Sequence, residues 1–379
     1  MYYNKITNCY IFLFLFWAIR YIIIKNLYLC VHLGGYMKKV LIAVLLAAMV
    51  IGNVAAIDVK FGDVPASWGG ALTDEIETEI RNKVNEKYGK YEDAKDVGRA
   101  MSNANALASS SGYMHSANGY NLFSVAVSGM VAGAVESISD AKDFIDNYKD
   151  EGDVYFGVGG QIINATVGFN VGRLFKWDHA LYLTLKGGLT KFKYDEFDID
   201  AYNLGFMVNY QLIEDKGGHL VKWRGLNVGA GYSYYSSTME WTVDKLDTIK
   251  INAGGHNFKY DADLNVKSET TRHIIPVEIT TGVKLTIVEL FGGLGADFMF
   301  GGDNEITADS DAKVRLEGND DPTKSKMHFS ADGDDDNFKM KFMVGIGFSL
   351  GPVHIEIPYT QYFDEKINSC IGIIGGVAF

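Results

Sequence analysis

The stretch Tyr202-Asn203-Leu204-Gly205-Phe206-Met207-Val208-Asn209-Tyr210-Gln211-Leu212 decides the fold. Tyr202, Leu204, Phe206, Val208, Tyr210 and Leu212 fall on one face of an extended chain. Asn203, Gly205, Asn209 and Gln211 fall on the other, where only Met207 is apolar. Side chains alternate across a strand, so this is one apolar face and one small polar face. The same pattern returns at 181–190, 226–234, 275–285, 288–298, 342–350 and 353–359. A soluble sheet also alternates, but its solvent face carries dense Lys and Glu rather than Gly, Asn, Ser and Thr. Soluble strands also average five or six residues, whereas these run about ten to fifteen, the length that crosses a bilayer at a tilt. The apolar faces therefore point to lipid and the polar faces to a lumen, which makes the chain an all-β membrane protein, an antiparallel transmembrane β-barrel.

Composition agrees. The 379 residues include 42 Gly and only 5 Pro, with 13% aromatics, as suits a large antiparallel barrel. The aromatics Trp177, Tyr182, Tyr194, Trp223, Trp241, Tyr359, Tyr362 and Phe363 stand toward strand ends, where interfacial girdles form. The net charge of −12 argues against a nucleic-acid partner.

The chain divides into four parts. Residues 37–56 read as a signal peptide: Met37, the basic Lys38 and Lys39, an apolar run from Val40 to Ile51, and small residues at Val54-Ala55-Ala56. Residues 1–36 then read as an upstream extension misassigned to the chain. The other reading is a membrane helix over the apolar stretch Ile11 to Val31. Cys9 and Cys30 lie in that leader, so Cys370 is alone in the mature chain and has no disulfide partner. Residues 57–118 repeat apolar positions every three or four residues from Leu72 to Val97, the mark of an amphipathic helix, or of two broken near Gly89. Ala100 to Ser111 is small and polar enough to fill a lumen, so 57–118 is expected to form an N-terminal helical plug or hatch rather than strands.

Residues 119–379 supply the barrel. Ten strands are expected near 121–135, 158–173, 180–194, 199–213, 223–243, 271–285, 287–300, 338–350, 352–363 and 369–379, with a short helix over Asp140 to Tyr148. Segments 256–268, 304–317 and 325–332 alternate more weakly and either extend hairpins above the membrane or add strands. With them the expected count is about 12–14. Ile371, Ile373, Val377 and the last residue, Phe379, share one face, as in the C-terminal strands that barrel-insertion machinery reads. This would put Phe379 at the periplasmic rim. The segment 303–336, with eleven Asp or Glu against four Lys or Arg, would be an acidic extracellular loop.

No catalytic constellation stands out: the eight His are scattered, and HExxH and phosphate-loop patterns are absent. The chain is read as no enzyme and is expected to hold no cofactor. Asp332-Gly333-Asp334-Asp335-Asp336-Asn337 has the start of a calcium loop, but Asn337 stands at the glycine position and Met343 where the closing Glu belongs, so no metal is assigned. Inward-facing charges are the candidate site: Lys186, Glu278, Lys284, Glu289, Asp297, Lys341 and Glu356 either line a permeation path or pair across strands. Pro276, in mid-strand, cannot donate to the ladder and marks a lateral gap or a bulge.

Gly98-Arg99-Ala100-Met101-Ser102-Asn103-Ala104-Asn105-Ala106, Gly119-Tyr120-Asn121-Leu122-Phe123, Pro352-Val353-His354-Ile355-Glu356-Ile357-Pro358 and the Phe379 terminus together carry a resemblance. The chain resembles spirochaetal outer-membrane β-barrel proteins of the FadL-like (long-chain fatty acid transporter-like) group, including leptospiral-type surface adhesins. The resemblance implies a barrel of about fourteen strands with an N-terminal plug. Three functions follow: uptake of small hydrophobic molecules through a plugged channel, adhesion to host or matrix proteins through surface loops, or general diffusion as a porin. The implied partners are outer-membrane lipid, the insertion machinery, and either hydrophobic small molecules or matrix proteins.

Overall fold

A computed structural model describes residues 58–61, 74, 77–79, 82, 91–115, 122–136, 155–177, 180–194, 197–218, 220–243, 249–253, 255–319, 321–332, 337–363 and 367–379. The leader, residues 1–36 and 37–56, and the helix expected over 140–148 lie outside the described residues. In chain order the elements are β1 (Asp58–Phe61), α1 (Tyr91–Ser110), β2 (Phe123–Glu136), β3 (Tyr155–Asn170), α2 (Val171–Leu174), β4 (Leu181–Tyr194), β5 (Phe197–Ile213), β6 (Lys216–Gly217), β7 (Val221–Val243) and β8 (Ile249–Ala253). They continue with β9 (His256–Leu285), β10 (Val288–Phe300), β11 (Asn304–Leu316), β12 (Thr323–Asp332), β13 (Phe338–Leu350), β14 (Val353–Tyr362) and β15 (Ile367–Ala378).

Ten of these strands close a ring in the order β9-β10-β13-β14-β15-β2-β3-β4-β5-β7, with β7 pairing back onto β9. All the pairings are antiparallel. Strands β15 and β2 form the seam, where Phe379 N–H donates to Phe123 O (2.8 Å) and its own carbonyl accepts from Phe123 N (3.1 Å). The barrel thus has ten strands, not the expected 12–14. The three weakly alternating segments do not widen it. Strand β11 continues the line of β10 along β9, from Asn304↔Thr270 to Leu316↔Phe258, and β12 pairs with β11. These strands build a sheet that rises from one rim. The acidic segment 303–336 is accordingly for the most part a β-hairpin, not a loop. Residues 57–118 are not wholly helical either, because Asp58↔His328 to Phe61↔Ser325 adds β1 to the edge of that sheet.

The faces obey lipid outside and polar groups inside. On β5, Leu204 is 67% exposed while Asn203 is 5% exposed. On β10 and β15, Leu294, Ile371 and Ile373 are exposed, and Asp297 and Asn368 are fully buried. Strand β9 marks the membrane limit within itself. Its outward positions read Leu285, Val283, Ile279 and Ile275, then His273, Thr271, Glu269, Lys267 and Asp263. The apolar part spans about 10 residues, or about 25 Å at barrel tilt, which matches the hydrocarbon band. Where the outward face turns charged, rings gather: His273 contacts Tyr234 and Phe300 at 5.0 and 5.6 Å between centroids, and Phe298 meets Phe338 at 5.1 Å. Phe123–Phe169 and Phe175–Trp177 pairs sit at the opposite rim. Three expected girdle residues, Tyr182, Trp241 and Tyr362, are buried instead. Tyr182 and Tyr362 fall on inward positions of their strands, and Trp241 lies beyond the band, opposite Val266. We expect Leu294→Arg, in the middle of the apolar band, to lower barrel stability by about 2–4 kcal/mol. Chemical unfolding from lipid bilayers measures this; a loss below about 1 kcal/mol would contradict a lipid-facing Leu294.

The rims differ. On one, Thr286–Ile287 and Gly351–Pro352 are two-residue turns and both ends of the seam meet; from the other rises the β8, β9, β11 and β12 sheet. Short turns mark the periplasmic side of such barrels and long excursions the outer side. Pro276 faces inward and lies opposite Asp297 on β10. On its other side ladder pairing lapses between Ala230↔Val277 and Ser233↔Ile274, yet the register does not shift there. Of the two readings of Pro276, a lateral gap or a bulge, the bulge is therefore absent. The bulge on this strand pair lies at Trp223/Leu226 instead. Gly225 holds it with φ +70°, and a Cβ there would overlap the Ile213 carbonyl.

Candidate functional site: the occupied lumen

Helix α1 fills the barrel, and its composition explains how. Ala100, Ala104, Ala106 and Ala108 keep it thin, while Ser102, Asn103, Asn105, Ser109 and Ser110 match a polar wall. All of these are buried, on every side of the helix. A ten-stranded ring is only slightly wider than the eight-stranded barrel whose interior side chains fill, so a helix fits only where the wall is bare. Gly157 and Gly159 on β3 provide that: a Cβ at either would overlap the helix backbone at Ala100 or at Ala104 and Asn105.

The helix is bonded around the ring. Near the extended sheet, Arg272 Nε donates to Ser102 Oγ (2.9 Å) and Tyr235 O–H to Asn105 Oδ1 (2.9 Å). One turn further, Ala106 packs with Ile274 and Met299, and Ser109 Oγ meets Ser233 Oγ at 2.7 Å. At its C-terminal end Ser110 Oγ donates to Asp297 Oδ2 (2.6 Å). Lys186 Nζ donates to the carbonyl of Ser109 and to that of Ser111 (2.7 Å), groups a helix end leaves without partners. The chain then descends. Lys186 Nζ lies 4.4 Å from the Tyr113 ring centroid, and His115 N–H donates to Glu356 Oε2 (2.9 Å). A cavity of about 10 Å³, lined in part by Tyr113, His115, Glu278 and Phe291, is room for one water molecule.

The structure places all seven inward charges on the lumen side. Two groups assemble. Asp297 binds Lys341 (2.7 Å) and accepts from Tyr362 O–H (2.7 Å) on the side of the extended sheet. Nearer the turn rim, Glu289 binds Arg224 (2.7 Å) and lies opposite Lys284 in the ladder. Glu278 borders the cavity and Glu356 holds His115. Buried charges of this kind need partners. Sequence reading missed Arg224 and Arg272. Arg224 sits one residue from Gly225, and the bulge turns inward a side chain that simple alternation sends to lipid. Arg272 is in phase with Ile274 and Glu278, a signal that alternation did contain.

A closed antiparallel ring with an apolar belt, aromatic girdles and a polar interior defines an outer-membrane β-barrel. The chain belongs to the Lsa36-like family, which matches residues 46–374. No curated protein matches it. Solved structures similar to it include the translocator domain of the autotransporter NalP from Neisseria meningitidis, with 9% identity and a TM-score of 0.28 over 69% of this chain and 90% of that one. The attachment invasion locus protein Ail of Yersinia pestis is similar at 12% identity and a TM-score of 0.20, over 69% of this chain and 100% of that one. The CymD monoaromatic hydrocarbon channel gives 8% identity and 0.24, over 68% and 89%. Scores this low add nothing to what this chain's own strand pairing shows.

Proposed function

We propose that the barrel is a helix-closed membrane anchor that presents the β9–β11–β12 sheet to protein ligands outside the cell. The observation that carries it is the reversal of polarity along β9. Within the membrane band the outward face is apolar; beyond it the same face carries Asp263, Lys267 and Glu269. On β11 and β12 the exposed residues include Asp309, Asp311, Lys313, Arg315, Lys324 and Lys326. Of these charges, Asp309 shares a hydrogen bond with His328 (2.7 Å), and Arg315 lies 3.7 Å from Asp261. Exposed pairs of this type contribute little to stability and leave a mixed-charge face that favours salt-sensitive protein contacts.

Uptake of hydrophobic molecules would need an apolar path, whereas the lumen is lined with Ser, Asn, Thr and charges. A general porin would need an open lumen, and α1 occupies this one. A channel that opens when the helix leaves is the second reading. It is favoured by the polar bonds that hold α1, which water can replace. The exposed Phe379, bonded into the seam, supports a role in recognition by the insertion machinery.

Joining β10 directly to β13, neighbours at Phe298↔Phe338, removes β11 and β12 without touching the ring. Cells carrying this shortened protein are expected to lose about tenfold or more of their binding to immobilised matrix proteins, about 1.4 kcal/mol. Undiminished binding by a folded, shortened barrel would reject the display reading.

A further inference from the structure

We infer that the chain is threaded through its own barrel, so that the residues preceding α1 lie outside the cell. Four contacts set the direction. Ser102 meets Arg272, at the level where β9 leaves the membrane band. Ser110 meets Asp297, which pairs with Pro276, four residues nearer the turn rim than Arg272. His115 meets Glu356 further toward the turn rim. Leu122 N–H donates to the carbonyl of Phe379, on the turn rim itself (2.5 Å). From Ser102 to His115 the polypeptide therefore runs down the lumen, away from the extended sheet, and Leu122 stands at the rim of the two-residue turns.

The segment before the helix starts from that same outer side. Strand β1 is paired with β12 of the extended sheet. Helix α1 begins at Tyr91, eleven residues before Ser102. At about 1.5 Å per residue its first part projects roughly 16 Å beyond the level of Arg272. Residues 58–61 and the start of α1 thus both stand on the outer side, and the lumen contains a single described pass of the chain. A hatch that enters from the periplasm would have the opposite direction.

The consequence is an activity of the fold. The strands that follow Leu122 form a conduit for the residues that precede Tyr91, and the sealed helix is the record of that passage. Displayed on the surface, those residues adjoin the charged sheet through β1.

The test is single-cysteine labelling of the full-length protein in intact cells with a membrane-impermeant maleimide. Cys9, Cys30 and Cys370, the last buried in the lumen, are replaced by Ser. Asp74→Cys and Asn82→Cys report on the N-terminal segment, both positions being exposed. Lys313→Cys on β11 and Lys176→Cys beyond α2 report the two sides. Unboiled electrophoresis checks that each barrel is folded. Labelling of Asp74→Cys or Asn82→Cys together with Lys313→Cys, with Lys176→Cys reacting only after permeabilisation, is the expected result. Reaction of both N-terminal cysteines only after permeabilisation overturns the threading. Labelling of Lys176→Cys and not Lys313→Cys in intact cells overturns the sidedness and with it the inference. Ligand binding plays no part in this readout, so it stands or falls apart from the display reading.

Discussion

Replacing Asp297 by Ala is expected to destabilise the folded barrel by about 3–5 kcal/mol, the cost of leaving one member of a buried ion pair alone. Asp297 is fully buried, accepts from Ser110 Oγ at 2.6 Å and Tyr362 O–H at 2.7 Å, and forms an ion pair with Lys341 Nζ at 2.7 Å. The Lys341 ammonium is itself only 1% exposed. Once the carboxylate is gone, it retains Ser110 Oγ at 3.3 Å but loses the counter-charge it binds. Each donor stranded in the interior adds about 1–3 kcal/mol unless water enters. The change also removes a tie between α1 and the wall, so protease sensitivity of the helix should rise together with the loss of stability. Asp297→Leu with Lys341→Met removes both charges and should recover most of the loss, because well-packed apolar pairs often match buried ion pairs. Urea unfolding in detergent, followed by the shift between folded and unfolded bands on gels, measures both variants against the parent. A single mutant as stable as the parent would show that this pair does not hold the lumen together.

The second large effect is a gain rather than a loss. Gly157→Leu is expected to expel α1 and turn a closed barrel into a conducting one. A Cβ at Gly157 would lie on the backbone of Ala100 and Met101, atoms that cannot rotate away. Overpacking by a single group costs about 1–3 kcal/mol even where side chains can adjust, and here the obstacle is helix main chain. The strand itself can accept the residue, since Gly157 pairs in regular register with Ala134. The ring should therefore persist while the helix loses its seat. Planar-bilayer recordings should show little current through the parent and discrete open steps through the variant, with the same steps after deletion of residues 91–115. A folded variant that stays closed would mean that α1 has room to shift within the lumen. It would also remove the support for the reading of this barrel as a channel that opens when the helix leaves.

Much of this architecture was legible in the residues alone. All ten expected strands are the ten of the ring, because each crosses the bilayer with one face in lipid and the other on a polar interior, and alternation records both at once. The excess over ten came from 256–268, 304–317 and 325–332. These alternate as well, but with charge outside and small or apolar groups inside, the pattern of a sheet in water. Alternation tells that a segment is a strand; which solvent its faces meet separates a membrane strand from its continuation beyond the rim.

The site was legible in part. The inward position of Lys186, Glu278, Glu289, Asp297, Lys341 and Glu356 follows from parity. Their partners do not, since Asp297 and Ser110 are far apart in sequence and meet only when the ring has closed around the helix. The bulge at Gly225 is a further example: it shifts the phase of β7 by one residue and delivers Arg224 to Glu289, a local event that periodicity averages away. The sequence by itself determined the class of protein, its lipid-facing surface and a small polar segment fit for a lumen, because these are properties of single strands and helices facing a solvent. The tertiary structure alone decided the number of strands in the ring, the pairing of the buried charges and the direction in which α1 traverses the barrel. Those depend on contacts between residues distant in sequence, 65 positions for Arg224 and Glu289 and 187 for Ser110 and Asp297, which no local period encodes.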